Sequence, residues 1–185
     1  MEPAVDAAIR VFWEHGYEGA TLDDLTAAMG INRSSLYAAF GNKEGLFRAV
    51  VQRYAQTEMA YVGEALAKDT AHELARHYLF SNVRAITADG KPRGCLSIQG
   101  GLSGSLEDQR VVEFLRESRL EAERAIADRL SELQRAGSLP AEADPAELAT
   151  FLSATTGGMA VAAASGQSRA RLQAVAERAL SAFPH

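Results

Sequence analysis

A chain of 185 residues, 47% hydrophobic and 23% charged, has room for one domain or two small ones and enough apolar side chains to bury a real core. Its single cysteine, Cys95, excludes an internal disulfide and a zinc site built on CxxC, and with no apolar run of about 18 residues and no basic secretory leader in MEPAVDAAIR, a cytoplasmic protein without a membrane partner is expected. A net charge of −5 does not favour nucleic acid as a property of the whole chain, so any such contact must come from a local patch.

Periodic segments rich in Ala, Glu and Arg, with no period-two runs of β-branched residues, predict an all-α chain of about nine helices. The first covers residues 3–15, with Val5, Ala8, Ile9 and Phe12 on one side, Trp13 packed, and Gly16 as its stop. Thr21 is placed as an N-cap, with Asp24 three residues later, so a helix begins at about Leu22; Leu22, Leu25 and Met29 share a face, and Gly30 ends it. Asn32 caps the next helix, Arg33 to Phe40, in which Leu36 and Phe40 face inward. Its outer face carries Arg33, Ser34, Ser35 and Tyr37, donors of the kinds that meet phosphates and base edges. Two short helices around a glycine turn, the second rich in donors, form the helix-turn-helix pattern.

Lys43 or Glu44 opens a long helix reaching about Leu66, with Leu46, Phe47, Val50, Val51 and Tyr54 at three- and four-residue spacing. Thr70 caps the next, which runs to about Ala88 with Leu74, Ala75, Tyr78, Leu79, Val83 and Ile86 as its stripe. Asn82 lies on that stripe. DGKPRG, residues 89–94, is a loop, and a short segment from Cys95 to Ser103 follows it. Residues 107–136 read as one amphipathic helix with Val111, Phe114 or Leu115, Ala122, Ile126, Leu130 and Leu133 inward. Asp144, Pro145 and Glu147 make a strong start for a helix to about Ala164, and a last helix spans 168–183. Residues 1–54 hold five basic and seven acidic side chains, a net of −2, but from Arg33 to Arg53 four cations face one acid, a local +3.

The stretch TLDDLTAAMGINRSSLYAAFGNKEGLF, preceded by Phe12, Gly16 and Tyr17, resembles the DNA-binding segment of the TetR family of bacterial transcriptional regulators. Leu25, Ala28, Gly30, Ile31, Ser35, Leu36, Tyr37, Phe40, Lys43, Leu46 and Phe47 carry the likeness. The resemblance implies an N-terminal three-helix DNA-binding domain over residues 1–54 and a helical effector-binding and dimerisation domain over 55–185. It implies contacts to an operator DNA duplex from Thr21, Arg33, Ser34, Ser35, Tyr37 and Lys43, and a homodimer formed through the last two helices. The expected activity is that of a repressor released from a palindromic operator by a small-molecule effector. Ala39 stands where many members carry His or Tyr as a further backbone contact, and many also carry a basic arm before the first helix, which these first residues do not supply.

Polar or adaptable residues caught on apolar stripes are the candidates to line an effector site, because an inward polar group needs a partner. Tyr78 and Asn82 fit that description on one helix and Ser118, more weakly, on another; Cys95, Gln99, Phe114, Phe151, Thr155 and Met159 are further candidates, and an apolar or aromatic effector is expected. Two alternatives stand beside this reading: a helical adaptor that does not bind DNA, and a thiol-based redox sensor acting through Cys95, whose neighbour Arg93 would favour the thiolate. No catalytic site, metal site or cofactor is expected. Gly101 to Ser105 lacks the closing glycine of a nucleophile elbow, the histidines have no metal-ligand spacing, and Glu73 and His77, four apart, read as a solvent-facing pair.

Overall fold

The computed structural model describes residues 2–102 and 109–184. Ser103 and Ser105 of the elbow-like motif, and the first two residues of the helix expected from 107, lie outside the described residues. Among those described there are ten helices and no strand, and no helix is long and apolar enough to cross a membrane.

The chain forms two compact units, Met1–Glu58 with Cys95–Leu115, and Met59–Gly94 with Arg116–His185. The first unit opens with α1 (Glu2–Gly19), whose helical geometry is interrupted at Gly16, the expected stop (φ 70°). It continues with α2 (Leu22–Met29), α3 (Arg33–Phe40) and α4 (Lys43–Thr57). Its core is aromatic. The Phe47 ring meets Phe12 edge-on at 5.0 Å and Tyr17 at 5.1 Å, and Trp13 meets Tyr54 edge-on at 5.1 Å, so three aromatic pairs hold α1 against α4. The short helix α7 (Leu96–Leu102) packs on α1 in this unit, and Trp13 Nε1 donates to Gln99 Oε1 at 3.1 Å.

The second unit is built around α6 (Ala71–Ile86), which packs against α5 (Tyr61–Leu66), α9 (Pro145–Ala164) and α10 (Arg169–Ser181). Every residue of its predicted stripe is buried: Leu74, Ala75, Tyr78, Leu79, Val83 and Ile86. Arg169 ties the start of α10 to the end of α6, donating to Thr87 Oγ1 at 2.8 Å and to the Thr87 carbonyl at 2.7 Å. The helix α8 (Gln109–Arg135) belongs to both units, its first residues to Leu115 in one and the rest in the other.

Two expectations need correction. The helix expected from Lys43 to about Leu66 is two helices, with a turn at residues 58–60 between α4 and α5, which raises the count from nine to ten. His77 does not pair with Glu73: its Nε2 lies 3.0 Å from Glu64 Oε2, joining α6 to α5, while Glu73 completes the cap of its own helix with Thr70.

Candidate nucleic-acid interface

The turn between α2 and α3 follows from local chemistry. Thr21 Oγ1 accepts from the Asp24 backbone N–H at 3.1 Å, and Asp24 Oδ2 accepts in return from the Thr21 N–H at 3.3 Å, a complete capping box. Hydrogen bonds from the Thr21 hydroxyl and N–H hold the Asp24 carboxyl below the usual carboxylate range. Gly30 ends α2 in the left-handed conformation (φ 66°, ψ 29°), which a side chain would strain. Asn32 Oδ1 then accepts from the Ser35 N–H at 2.8 Å and opens α3.

α3 has eight residues and buries only Leu36 fully. Arg33, Ser34, Ser35, Tyr37, Ala38 and Ala39 are exposed, so the helix is held by one anchor and two capped ends while the rest of its surface is presented outward. Phe40, expected inward, is half-buried. Close behind it, a side chain on Gly45 would place its Cβ 2.0 Å from the Phe40 carbonyl oxygen, so the approach of α4 to the end of α3 requires glycine there.

All six expected DNA-facing residues lie in this one unit, in α3 and at the starts of α2 and α4, and the structure gives the side chains of four of them, Thr21, Arg33, Ser34 and Lys43, intramolecular partners. Arg33 donates from Nε and Nη2 to Asp23 Oδ1, at 3.2 and 2.7 Å. The Ser34 hydroxyl donates to Asn32 Oδ1 at 2.7 Å, and the Thr21 hydroxyl serves its cap. Lys43 is the first residue of α4, capped by Asn42; its ammonium lies 4.7 Å from the Tyr17 ring centroid and donates to the Glu18 carbonyl at 3.3 Å. Tyr37 is 46% exposed and Ser35 is exposed.

The local +3 counted from Arg33 to Arg53 is therefore largely compensated. Arg33 pairs with Asp23 at 2.7 Å, Arg48 with Glu44 at 3.0 Å and Arg53 with Asp6 at 2.7 Å. Arg53 also holds the Asp6 carboxyl below the usual carboxylate range by its hydrogen bond.

The effector candidates divide between the units. Gln99 is bonded to Trp13, Phe114 lies under the Arg48 guanidinium at 4.5 Å, and Cys95 is buried with its Sγ 3.0 Å from Ser97 Oγ; all three belong to the first unit. Tyr78 and Asn82 come together in the second unit with Tyr61, a residue that sequence reasoning missed. Asn82 Nδ2 donates to the Tyr61 hydroxyl at 3.0 Å, and the Tyr61 and Tyr78 rings are 6.0 Å apart. Asn82 is 6% exposed, and its Oδ1 is buried with no hydrogen-bond partner among the described residues. Met159 is buried on α9, Thr155 and Ser118 are half-buried, and Phe151 lies on the exposed face of α9.

Among the described residues no group of three or more His, Cys, Asp or Glu side chains is arranged to hold a metal. Residues 4–50, which contain the whole helix-turn-helix, match the model for bacterial regulatory proteins of the tetR family. The HTH-type transcriptional repressor ComR of Escherichia coli (strain K12) is 32% identical over 185 residues, 99% of this chain and 88% of that protein. The uncharacterized HTH-type transcriptional regulator YezE of Bacillus subtilis (strain 168) is 31% identical over 147 residues, 78% and 76% of the two chains. In three dimensions the chain superposes with a TM-score of 0.93 and 41% identity, over 99% of its own length and 96% of the other, on a cysteine mutant of the TetR family transcriptional regulator CifR complexed with 26 bp double-strand operator DNA. A helix-turn-helix built on local caps, within a fold shared over nearly its whole length, makes this chain a member of the TetR family and a DNA-binding regulator of transcription.

Proposed function

We propose that two copies of this chain bind a roughly palindromic operator, α3 of each entering the major groove of one half-site, and that the bound dimer represses transcription until a small apolar or aromatic effector releases it. The observation that carries this reading is the surface of α3, an eight-residue helix that exposes Arg33, Ser34, Ser35 and Tyr37 around a single buried anchor. The operator complex of CifR and the repressor name of ComR support it by likeness. Residues 1–54 take the DNA-binding role and 55–185 the effector-binding and dimerisation role. Such a protein works where the bacterial chromosome is, in the cytoplasm. A mobility shift with the DNA upstream of its own gene at moderate salt tests the reading; no shift at micromolar protein would favour the adaptor instead.

Within the DNA set, Lys43 acts on phosphate. It stands at the N-terminus of α4, where free N–H groups and the helix dipole favour an anion beside its ammonium. Lys43→Ala is expected to weaken binding similarly across DNA sequences and to reduce the slope of log affinity against log salt by about 1. An unchanged slope would remove Lys43 from the phosphate contacts.

The effector reading centres on Tyr61, Tyr78 and Asn82. A buried carbonyl oxygen without a donor is costly, and an effector whose O–H or N–H bonds to Asn82 Oδ1 while its apolar body lies against the tyrosines would relieve that cost. Binding shifts the protein only by its difference in affinity between DNA-competent and DNA-incompetent states. Asn82→Leu is expected to change unfolding stability by less than about 1 kcal/mol, because removing an unmet polar atom offsets the one lost hydrogen bond. It is also expected to blunt operator release by aromatic alcohols and amines. A loss of several kcal/mol in denaturant titration would instead make Asn82 a structural residue.

A further inference from the structure

We propose that Asp23 is a specificity-determining positioning residue: it holds the Arg33 guanidinium by one edge so that only the end-on pair of N–H groups is free to read a guanine. The proposal rests on the reading of Arg33 as a base-contacting side chain and adds what sets that contact's geometry. Both Arg33 bonds go to one oxygen, Asp23 Oδ1, from Nε at 3.2 Å and from Nη2 at 2.7 Å. That occupies the Nε–Nη2 edge. The opposite end, Nη1 with the second N–H of Nη2, keeps the two parallel donors that match guanine O6 and N7.

Folding does not account for this pair. Its side chains are 58% and 77% exposed, and an ion pair so exposed contributes little to stability. The helix dipoles treat its two members oppositely. Asp23, in the first turn of α2, is well placed, whereas Arg33, the first residue of α3, puts a cation at the positive end of its helix. What the pair does achieve is to order a long, flexible side chain before DNA arrives, so less freedom is lost on binding. It also sets a carboxylate beside the DNA surface. Where Arg33 meets no guanine, that charge offsets the attraction of the Arg33 cation for the DNA, so Asp23 lowers affinity for wrong sequences as well as shaping the right contact.

The test compares wild type, Asp23→Ala, Asp23→Asn, Arg33→Ala and the double variant Asp23→Ala/Arg33→Ala. Each is measured on an operator selected from randomised duplexes, on the same duplex with each base pair replaced in turn, and on non-specific DNA. Arg33→Ala should relax one position by roughly 5- to 150-fold. Asp23→Ala should relax that same position by about three- to tenfold while tightening non-specific binding, and should relax base preference no further in the Arg33→Ala background. Asp23→Asn keeps an acceptor but not the charge, so it should fall between wild type and Asp23→Ala, which also secures the result if the alanine variant folds poorly. Unchanged base preference in both Asp23 variants, or an Asp23→Ala effect that adds in full to that of Arg33→Ala, overturns the proposal while leaving Arg33 as a reader. If Arg33→Ala relaxes no position, the reading of Arg33 fails and the proposal falls with it.

Discussion

Phe47→Ala is expected to destabilise the first unit by about 3–5 kcal/mol, a large part of the 5–15 kcal/mol that holds a typical domain together. The side chain is wholly buried and contributes to two of the edge-on ring contacts, to Phe12 and to Tyr17, that fasten α1 to α4. Removing the ring forfeits its transfer energy and leaves a cavity that the neighbouring Phe12 and Tyr17 rings fill only in part. The functional loss should exceed what unfolding alone implies. Tyr17 also lies beneath the Lys43 ammonium, so a shifted Tyr17 ring misplaces the N-terminus of α4. Denaturant unfolding followed by the fluorescence of Trp13, which packs in the same unit against Tyr54, gives the measurement. A loss below about 1 kcal/mol would mean that α1 and α4 are joined chiefly by other contacts.

Helices α2 and α3 were legible because their boundaries are local events. A Thr hydroxyl or Asn amide oxygen satisfies an N–H group three residues away, and Gly30 supplies the left-handed residue between the two helices, so a window of a few residues contains the whole cause. The stripe of α6 was legible for a similar reason, since one face of a regular helix repeats through the sequence. The break at residues 58–60 was not. Glu58, Met59 and Ala60 include neither proline nor glycine, and the break marks the place where the chain leaves one compact unit for the other, a property of tertiary packing.

Long-range pairing was equally hidden. Counting charges from Arg33 to Arg53 found a positive patch, but Asp23 and Asp6, from outside that window, take up Arg33 and Arg53. Gln99 and Phe114, candidates for an effector site, meet Trp13 and Arg48, partners more than sixty residues away that no local window shows. Tyr61 was overlooked because it fell inside what looked like an uninterrupted helix. Its hydroxyl gains meaning only once α5 is a separate element packed against Asn82 of α6.

Val161→Glu is expected to abolish dimerisation and to reduce operator affinity by at least about a hundredfold. α9 buries Leu152, Met159, Ala160 and Ala163 within its own unit and turns Phe151, Ala154, Gly158 and Val161 outward at three- and four-residue spacing. α10 adds Val175, so of the five large hydrophobic side chains left exposed among the described residues, three lie on these two helices. An outward apolar face with Ala154 and Gly158 along its middle lets another helix approach closely, and a second copy of the same two helices fits it by symmetry. In the proposed mode, holding two α3 helices about one DNA turn apart turns a few weak contacts into specific binding, which makes the dimer part of the reading mechanism. A carboxylate at 161 would have to be buried against the partner in each of two copies. Because Val161 is 43% exposed in the single chain, helicity and melting of the monomer should barely change. Sedimentation at micromolar concentration should then show monomer, and a mobility shift on the selected operator should be lost at concentrations that saturate wild type. Val161→Ala, which trims the contact without adding charge, should leave both readings close to wild type; a dimer that survives Val161→Glu with full operator affinity would place the interface on another surface.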